Sequence, residues 1–317
     1  VGDGRASTRA GLIYGIAAYG LWGVMPLYFR AVNGVSPLEL LAHRIVWCFL
    51  LLAGVLTVFR RWPDFARVVR TPDTLFLLAL SAHLVAANWL IYIYGVSIER
   101  VVHTSLGYFI NPLLSILLGM VFFRERLRPA QWLAVGLAAA GIGYLLVTVD
   151  EFPWIALGVA MSFALYGLVR KVTPVDGLTG LTVETLWLLP AAGGCLLWWG
   201  AHGMLLFGHG DRRLDALLLA SGVVTAVPLI CFGQAARRLP LSTLGFLQYL
   251  APTAQFLIAV LWFGEPFGQE KQISFGLVWA ALAVLTADSV LRARRPAATL
   301  PLPEPVAERH PVTCRDE

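Results

Sequence analysis

Charge is scarce in this chain. Only 14% of its 317 residues are Asp, Glu, Lys or Arg, against roughly a quarter in an ordinary soluble domain. A mean hydropathy of +0.73 accompanies the shortage, and 58% of residues are apolar, with eleven Trp. A disordered chain has the opposite balance and is excluded. Cysteine is scarce too. There are four, and Cys48, Cys195 and Cys231 sit inside apolar runs without the spacing of a metal site or a disulfide framework. What fills the chain instead is a series of apolar stretches near 20 residues, the length that crosses a hydrocarbon core of roughly 30 Å as a helix. The fold class is all-α integral membrane.

Ten such runs are read, at 10–30, 38–59, 74–96, 102–123, 130–149, 153–170, 178–200, 215–236, 242–263 and 271–291. Most linkers are short, which makes consecutive helices antiparallel neighbours. Longer ones lie at 60–73 and 201–214. After Leu291 come five Arg and five Pro, so 292–317 reads as a disordered tail. The first run is too long for the core of a cleavable leader and lacks a small-residue cleavage site, so it reads as the first span after a short segment, 1–9. The net charge of +5 does not point to nucleic acid, because the positives lie in turns between apolar runs and form no basic face. Eighteen of the 24 basic residues fall on one side of a ten-span layout, five on the other, and Arg44 lies within a span. By the positive-inside rule both termini face the cytoplasm of a bacterial-type inner membrane.

Comparing the chain with itself reveals a repeat. At an offset of 140, Trp47 matches Trp187, Ala86 matches Ala226, Pro112 matches Pro252, Phe123 matches Phe263, Glu125 matches Glu265 and Gly136 matches Gly276. Ser105-Leu106-Gly107-Tyr108 matches Thr243-Leu244-Gly245-Phe246 at 138, and Tyr19, Trp22 and Gly23 match Phe163, Tyr166 and Gly167 at 144. The order is collinear over five helices, giving halves at 10–149 and 150–291. Five is odd, so the second half inserts upside down. Inverted five-helix repeats are an architecture of secondary transporters, with solute held near the midplane between the halves and released to alternate sides.

The residues also resemble a family. His43-Arg44-Ile45-Val46-Trp47, Asn88-Trp89-Leu90, Ser105-Leu106-Gly107-Tyr108-Phe109-Ile110-Asn111-Pro112, Gln131-Trp132-Leu133-Ala134-Val135, Tyr166-Gly167-Leu168-Val169-Arg170-Lys171, Glu184-Thr185-Leu186-Trp187-Leu188-Leu189-Pro190 and Ser242-Thr243-Leu244-Gly245-Phe246 are similar to RarD-type permeases of the EamA group, drug/metabolite transporter superfamily. The resemblance covers about 10–291 and implies a ten-helix inner-membrane permease, with little about its substrate. One departure is Arg124-Glu125, where such proteins tend to carry Gly before Glu; the second half keeps Gly264-Glu265.

Charges inside a span cost about 2.5–3.5 kcal/mol to insert and mark functional candidates. Arg44 and Glu184 qualify, at equivalent repeat positions. Inversion puts them at different depths, about 12 Å apart across the core, which argues against a direct salt bridge. Arg44 is read as holding an anionic group or gating the outer side, and Glu184 as binding a cation or coupling protons; snorkelling or a structural bond is the bland alternative. Trp22, Asn88, Tyr92, Tyr108, Asn111, Tyr166 and Gln248 are read as lining a cavity for flat or amphiphilic organic solutes, against ordinary interhelical bonding. Pro112 and Pro252 are candidate hinges, or static kinks, and Asn111 is placed to serve the carbonyl that Pro112 frees. Glu125 and Glu265 read as caps or loop anchors. His43, His83 and His103 read as packed or interfacial. Small-residue stripes at Gly136-xxx-Ala140, Ala139-xxx-Gly143 and Gly276-xxx-Ala280 suit packing of the halves or a homodimer.

Nothing calls for a metal or a cofactor: there is no HExxH, no Cys/His cluster and no nucleotide-binding loop. The partners implied are a small-molecule solute and the lipid bilayer. Embedded ionisable residues are too dispersed for a membrane enzyme, and a non-transporting sensor or scaffold is the other alternative.

Overall fold

A computed structural model describes residues 2–98, 101–147, 152–264 and 268–293. The described residues hold helices and no strand. In order they are α1 (Gly2–Gly23), α2 (Met25–Ala31), α3 (Pro37–Val58), α4 (Trp62–Val69), α5 (Pro72–Ser97), α6 (Val101–Phe123), α7 (Pro129–Val147), α8 (Trp154–Val172), α9 (Gly177–Ala201), α10 (Arg212–Arg238), α11 (Leu241–Gln248), α12 (Leu250–Leu257) and α13 (Gln269–Ala293), with a π-turn at Ile258–Trp262. Among the described residues nine helical stretches are long and apolar enough to cross a membrane, α1 with α2 and α11 with α12 each counting as one. The apolar stretch of α13, Gln272–Asp288, is shorter. The first two residues of the tail, Arg292 and Ala293, close α13; 294–317 and Glu265 lie outside the described residues.

Two of the spans are broken, each beside a proline. Pro26 has no amide hydrogen, so the carbonyl of Trp22 loses its helical donor and the chain kinks between α1 and α2. Gln255 Nε2 donates to that carbonyl at 3.0 Å, which satisfies it inside the protein as an apolar surround demands. Pro252 follows the break between α11 and α12 at Tyr249. Pro112, its repeat equivalent, sits inside an unbroken α6. Asn111 does not serve the freed carbonyl there; its Oδ1 accepts from Ser115 Oγ at 3.3 Å.

The linker at 60–73 is not plain loop, since it contains α4. Phe65 and Val68 of this short helix pack with Leu75, Leu78, Val175 and Val183. Arg61 bridges Asp64 at 2.9 Å and Asp176 at 3.0 Å, and Asp176 caps α9 by accepting from the amides of Leu178 and Thr179. Burial opposes the Asp176 carboxylate, but bonds from Thr179 and Arg61 outweigh it and hold the carboxyl below its ordinary range.

The packing order closes a ring. α1 packs on α10, α10 on α3, α3 on α9, α9 on α5, α5 on α8, α8 on α6, α6 on α11, and α12 back on α1. α7 and α13 pair outside this ring and join it through α6 and the apolar cluster around Leu106, Ile116, Ala134 and Val278. The close approach of α7 to α13 falls at Gly141, where a Cβ would meet the Ser274 carbonyl at 2.9 Å. Gly136, Gly143 and Gly276 have open space at theirs. Replacing each first-half helix by its repeat partner, and the reverse, reproduces the same ring.

Candidate functional site

α3, α5, α6 and α10 each contribute to a first group of polar side chains. Arg44 Nε donates to Thr225 Oγ1 at 3.0 Å, and the guanidinium lies 5.0 Å from the Trp89 ring centroid. The phenols of Tyr28, Tyr92 and Tyr108 are within its electrostatic reach. The Tyr92 and Tyr108 rings meet edge to face at 6.0 Å. No carboxylate pairs with Arg44 among the described residues.

Glu184 organises a second group. Its side chain is 1% exposed and lies 3.4 Å from Arg170 Nη1, which is equally buried. Ser81 Oγ donates to Oε1 at 2.5 Å, and Tyr166 Oη donates to Oε2 at 3.4 Å. Two glycines make room for the guanidinium: a Cβ at Gly180 or Gly233 would collide with the Arg170 nitrogens. The pair is Coulombic in character, since Arg170 Nε and Nη1 make no hydrogen bond. Beside it Tyr166 stacks on Phe232 at 5.5 Å. Phe163 and Trp22 complete an aromatic cluster, 5.2 Å and 5.8 Å from the same ring.

Arg44 and Glu184 therefore do not bond to each other; the buried Cys48 lies within electrostatic reach of both. The remaining candidates separate as well. Asn88 Nδ2 donates to the Val159 carbonyl at 2.7 Å and to Ser162 Oγ at 3.1 Å, so its amide joins α5 to α8. Asn111 and Gln248 share Ser115 Oγ, each at 3.3 Å. Tyr19 Oη approaches Gln248 without meeting hydrogen-bond geometry. His43 is buried, accepts from Trp47 Nε1 at 3.0 Å and turns Nε2 toward Glu39 at 3.8 Å. His83 Nδ1 lies 2.7 Å from the Ala79 carbonyl. The side chain of His103 lies outside the described residues.

The helix ends carry a third pattern. Glu125 accepts from the amides of Leu241 and Ser242 at 2.7 and 2.8 Å, capping α11. Lys171 donates to the Leu239 carbonyl and lies 5.0 Å over the Phe123 ring. Arg30 lies 4.3 Å over the Phe263 ring. Arg124 and Gly264, 140 apart, both take positive φ, 53° and 67°.

The EamA-like transporter family model matches residues 9–147. Protein RarD of Salmonella typhi is 48% identical over 288 residues, covering 91% of this chain and 98% of that protein. The chain belongs to the RarD-type branch of the EamA-like transporter family. An uncharacterized transporter of Vibrio cholerae is 47% identical over 90% of this chain and 95% of its own length. One solved crystal structure of a protein matches 91% of this chain and all of its own with a TM-score of 0.66 at 18% identity, a likeness of fold alone. As an EamA-like transporter the chain is a multi-pass membrane protein of the drug/metabolite superfamily, and its relatives are named as transporters, not enzymes.

Among the residues of this EamA-like chain, sequence reasoning missed Arg170, Ser81, Thr225 and Tyr28. Arg170 closes an apolar run beside Lys171, a pattern that reads as a loop charge. α8 continues through Val172, and Arg170 stands one turn from Tyr166, on the same face. That spacing was the available signal. Thr225 and Ser81 carry none, because a hydroxyl in a span usually bonds its own helix.

Proposed function

We propose that this chain is a secondary transporter of the inner membrane, with both termini cytoplasmic and two oppositely inserted five-helix halves, moving a small organic solute by alternating access. The observation that carries the reading is the twin contact at the helix ends, Arg30 over Phe263 and Lys171 over Phe123. The two Phe are 140 residues apart and the two cations 141, so the contacts are equivalent by the repeat. An inverted repeat puts equivalents at opposite faces of the membrane. Each is a cation–π contact of about 0.5–2 kcal/mol, strong enough to hold one end closed and weak enough to open. The difference between the unbroken α6 and the broken α11–α12 supports the same reading. Two copies of one unit in two shapes are what a molecule shows when its halves exchange conformations, with Pro112 and Pro252 as hinges.

Glu184 is the coupling group in this proposal. A proton on its carboxylate removes the counter-charge of Arg170, whose guanidinium lacks hydrogen bonds that would lock it in place. Sealed vesicles with and without the protein, energised by a proton gradient and compared for total solute content, test both layers. Expected is gradient-driven accumulation of at least one organic solute, lost in Glu184→Gln while solute exchange without a gradient persists. Accumulation that survives Glu184→Gln removes the coupling role, and identical solute content with and without the protein removes transport.

A further inference from the structure

On the transport reading above, we infer that Arg44 forms the binding site for the single negative charge of the solute, and that the solute is an organic monocarboxylate with a flat apolar body. Arg44 lies seven residues into α3, about 10 Å along a span, where an isolated charge is costly. The other embedded acids are taken: Glu184 faces Arg170, and Glu39 faces His43 and the Leu206 amide. A purely structural buried cation is ordinarily paired with a counter-ion, and among the described residues no carboxylate pairs with Arg44.

The geometry leaves the right groups open. Nε is fixed on Thr225 and one face of the guanidinium on Trp89, so the plane is set while both Nη nitrogens make no hydrogen bond with the described residues. Tyr28 Oη donates to the Leu217 carbonyl, while the Tyr92 and Tyr108 hydroxyls nearby make no hydrogen bond with the described residues. Tyr92 is half-buried and Tyr108 exposed at 36%. A planar carboxylate matches a guanidinium fork with two parallel bonds. Its single charge neutralises the site. A phosphate dianion would leave one negative charge unanswered, as no second cation stands within this group. Trp89, Tyr92 and Tyr108 offer aromatic faces and edges to an apolar ring beyond the carboxylate.

Binding of benzoate and phenylacetate to the full chain in lipid nanodiscs, with benzamide and inorganic phosphate as controls, tests this. Saturable binding of both carboxylates is expected, at least about tenfold tighter than benzamide and undisturbed by phosphate, because the hydrogen bonds to the carboxylate are charge-assisted. Arg44→Lys keeps the charge and loses the fork, and should weaken benzoate by about tenfold; Tyr108→Leu should weaken it without touching the charge. Melting temperatures without probe separate misfolding from lost contacts. Equal binding of benzamide, competition by phosphate, or unchanged benzoate binding in a folded Arg44→Lys protein overturns the inference. Failure here with solute accumulation intact in vesicles leaves transport standing, whereas benzoate binding without any accumulation leaves the site standing and removes transport.

Discussion

Removal of Arg170 alone leaves Glu184 charged and uncompensated in a fully buried position. Breaking such a pair from one side costs about 3–5 kcal/mol, while replacing both members by apolar residues is often neutral. Arg170→Met should therefore lower the melting temperature of the purified protein sharply, and Arg170→Met with Glu184→Met should recover most of the loss. A double variant as unstable as the single one contradicts a mutual pair. The same residues show how far a sequence can be read at this scale. Glu184 stands out because it interrupts an apolar run, whereas Arg170 hides at the edge of one, where the run ends and the helix does not. Asn88 was visible as a polar residue in a span, but its partner is a backbone carbonyl, Val159, which leaves no mark in the side-chain pattern.

At the scale of elements, the turns after α6 and after the π-turn test whether the repeat is structural. Both place a residue in the left-handed region, Arg124 at φ 53° and Gly264 at φ 67°, where only glycine is free of Cβ crowding. Arg124→Gly should stabilise the protein by up to about 1 kcal/mol, and Gly264→Arg should destabilise it by a similar amount, read as opposite shifts in melting temperature. Shifts of the same sign would mean that the two turns are not equivalent. The sequence pattern revealed the long spans because an apolar run of the right length has few other uses. It did not reveal α4, whose eight residues bury only Phe65 and Val68 against neighbours, or the bend at Val24, which Pro26 signals four residues after Trp22. The break beside Pro252 and the unbroken helix at Pro112 could not be told apart either, since proline removes the same hydrogen bond in both and the surrounding helices decide whether the chain bends.

Across the whole molecule, the proposed function rests on the ring of helices and the twin cation–π contacts. The order of neighbours in that ring was not legible, because packing partners far apart in the chain are chosen by shape; Gly222 against the Trp47 backbone, where a Cβ would come within 2.6 Å, is one such fit. An odd number of spans per half is a reading of the sequence repeat, and on the proposed function it leads to the central claim that the ends open in turn. Spin-label distances measure this most directly. One pair of labels goes beside the first contact, Phe29→Cys with Trp262→Cys, and another beside the second, Val172→Cys with Phe122→Cys, all four positions being exposed and the native cysteines replaced. Two distance populations are predicted at each end in nanodiscs, with conditions that lengthen one pair shortening the other. Distances that lengthen together at both ends, or that keep a single population at each, would contradict alternating access.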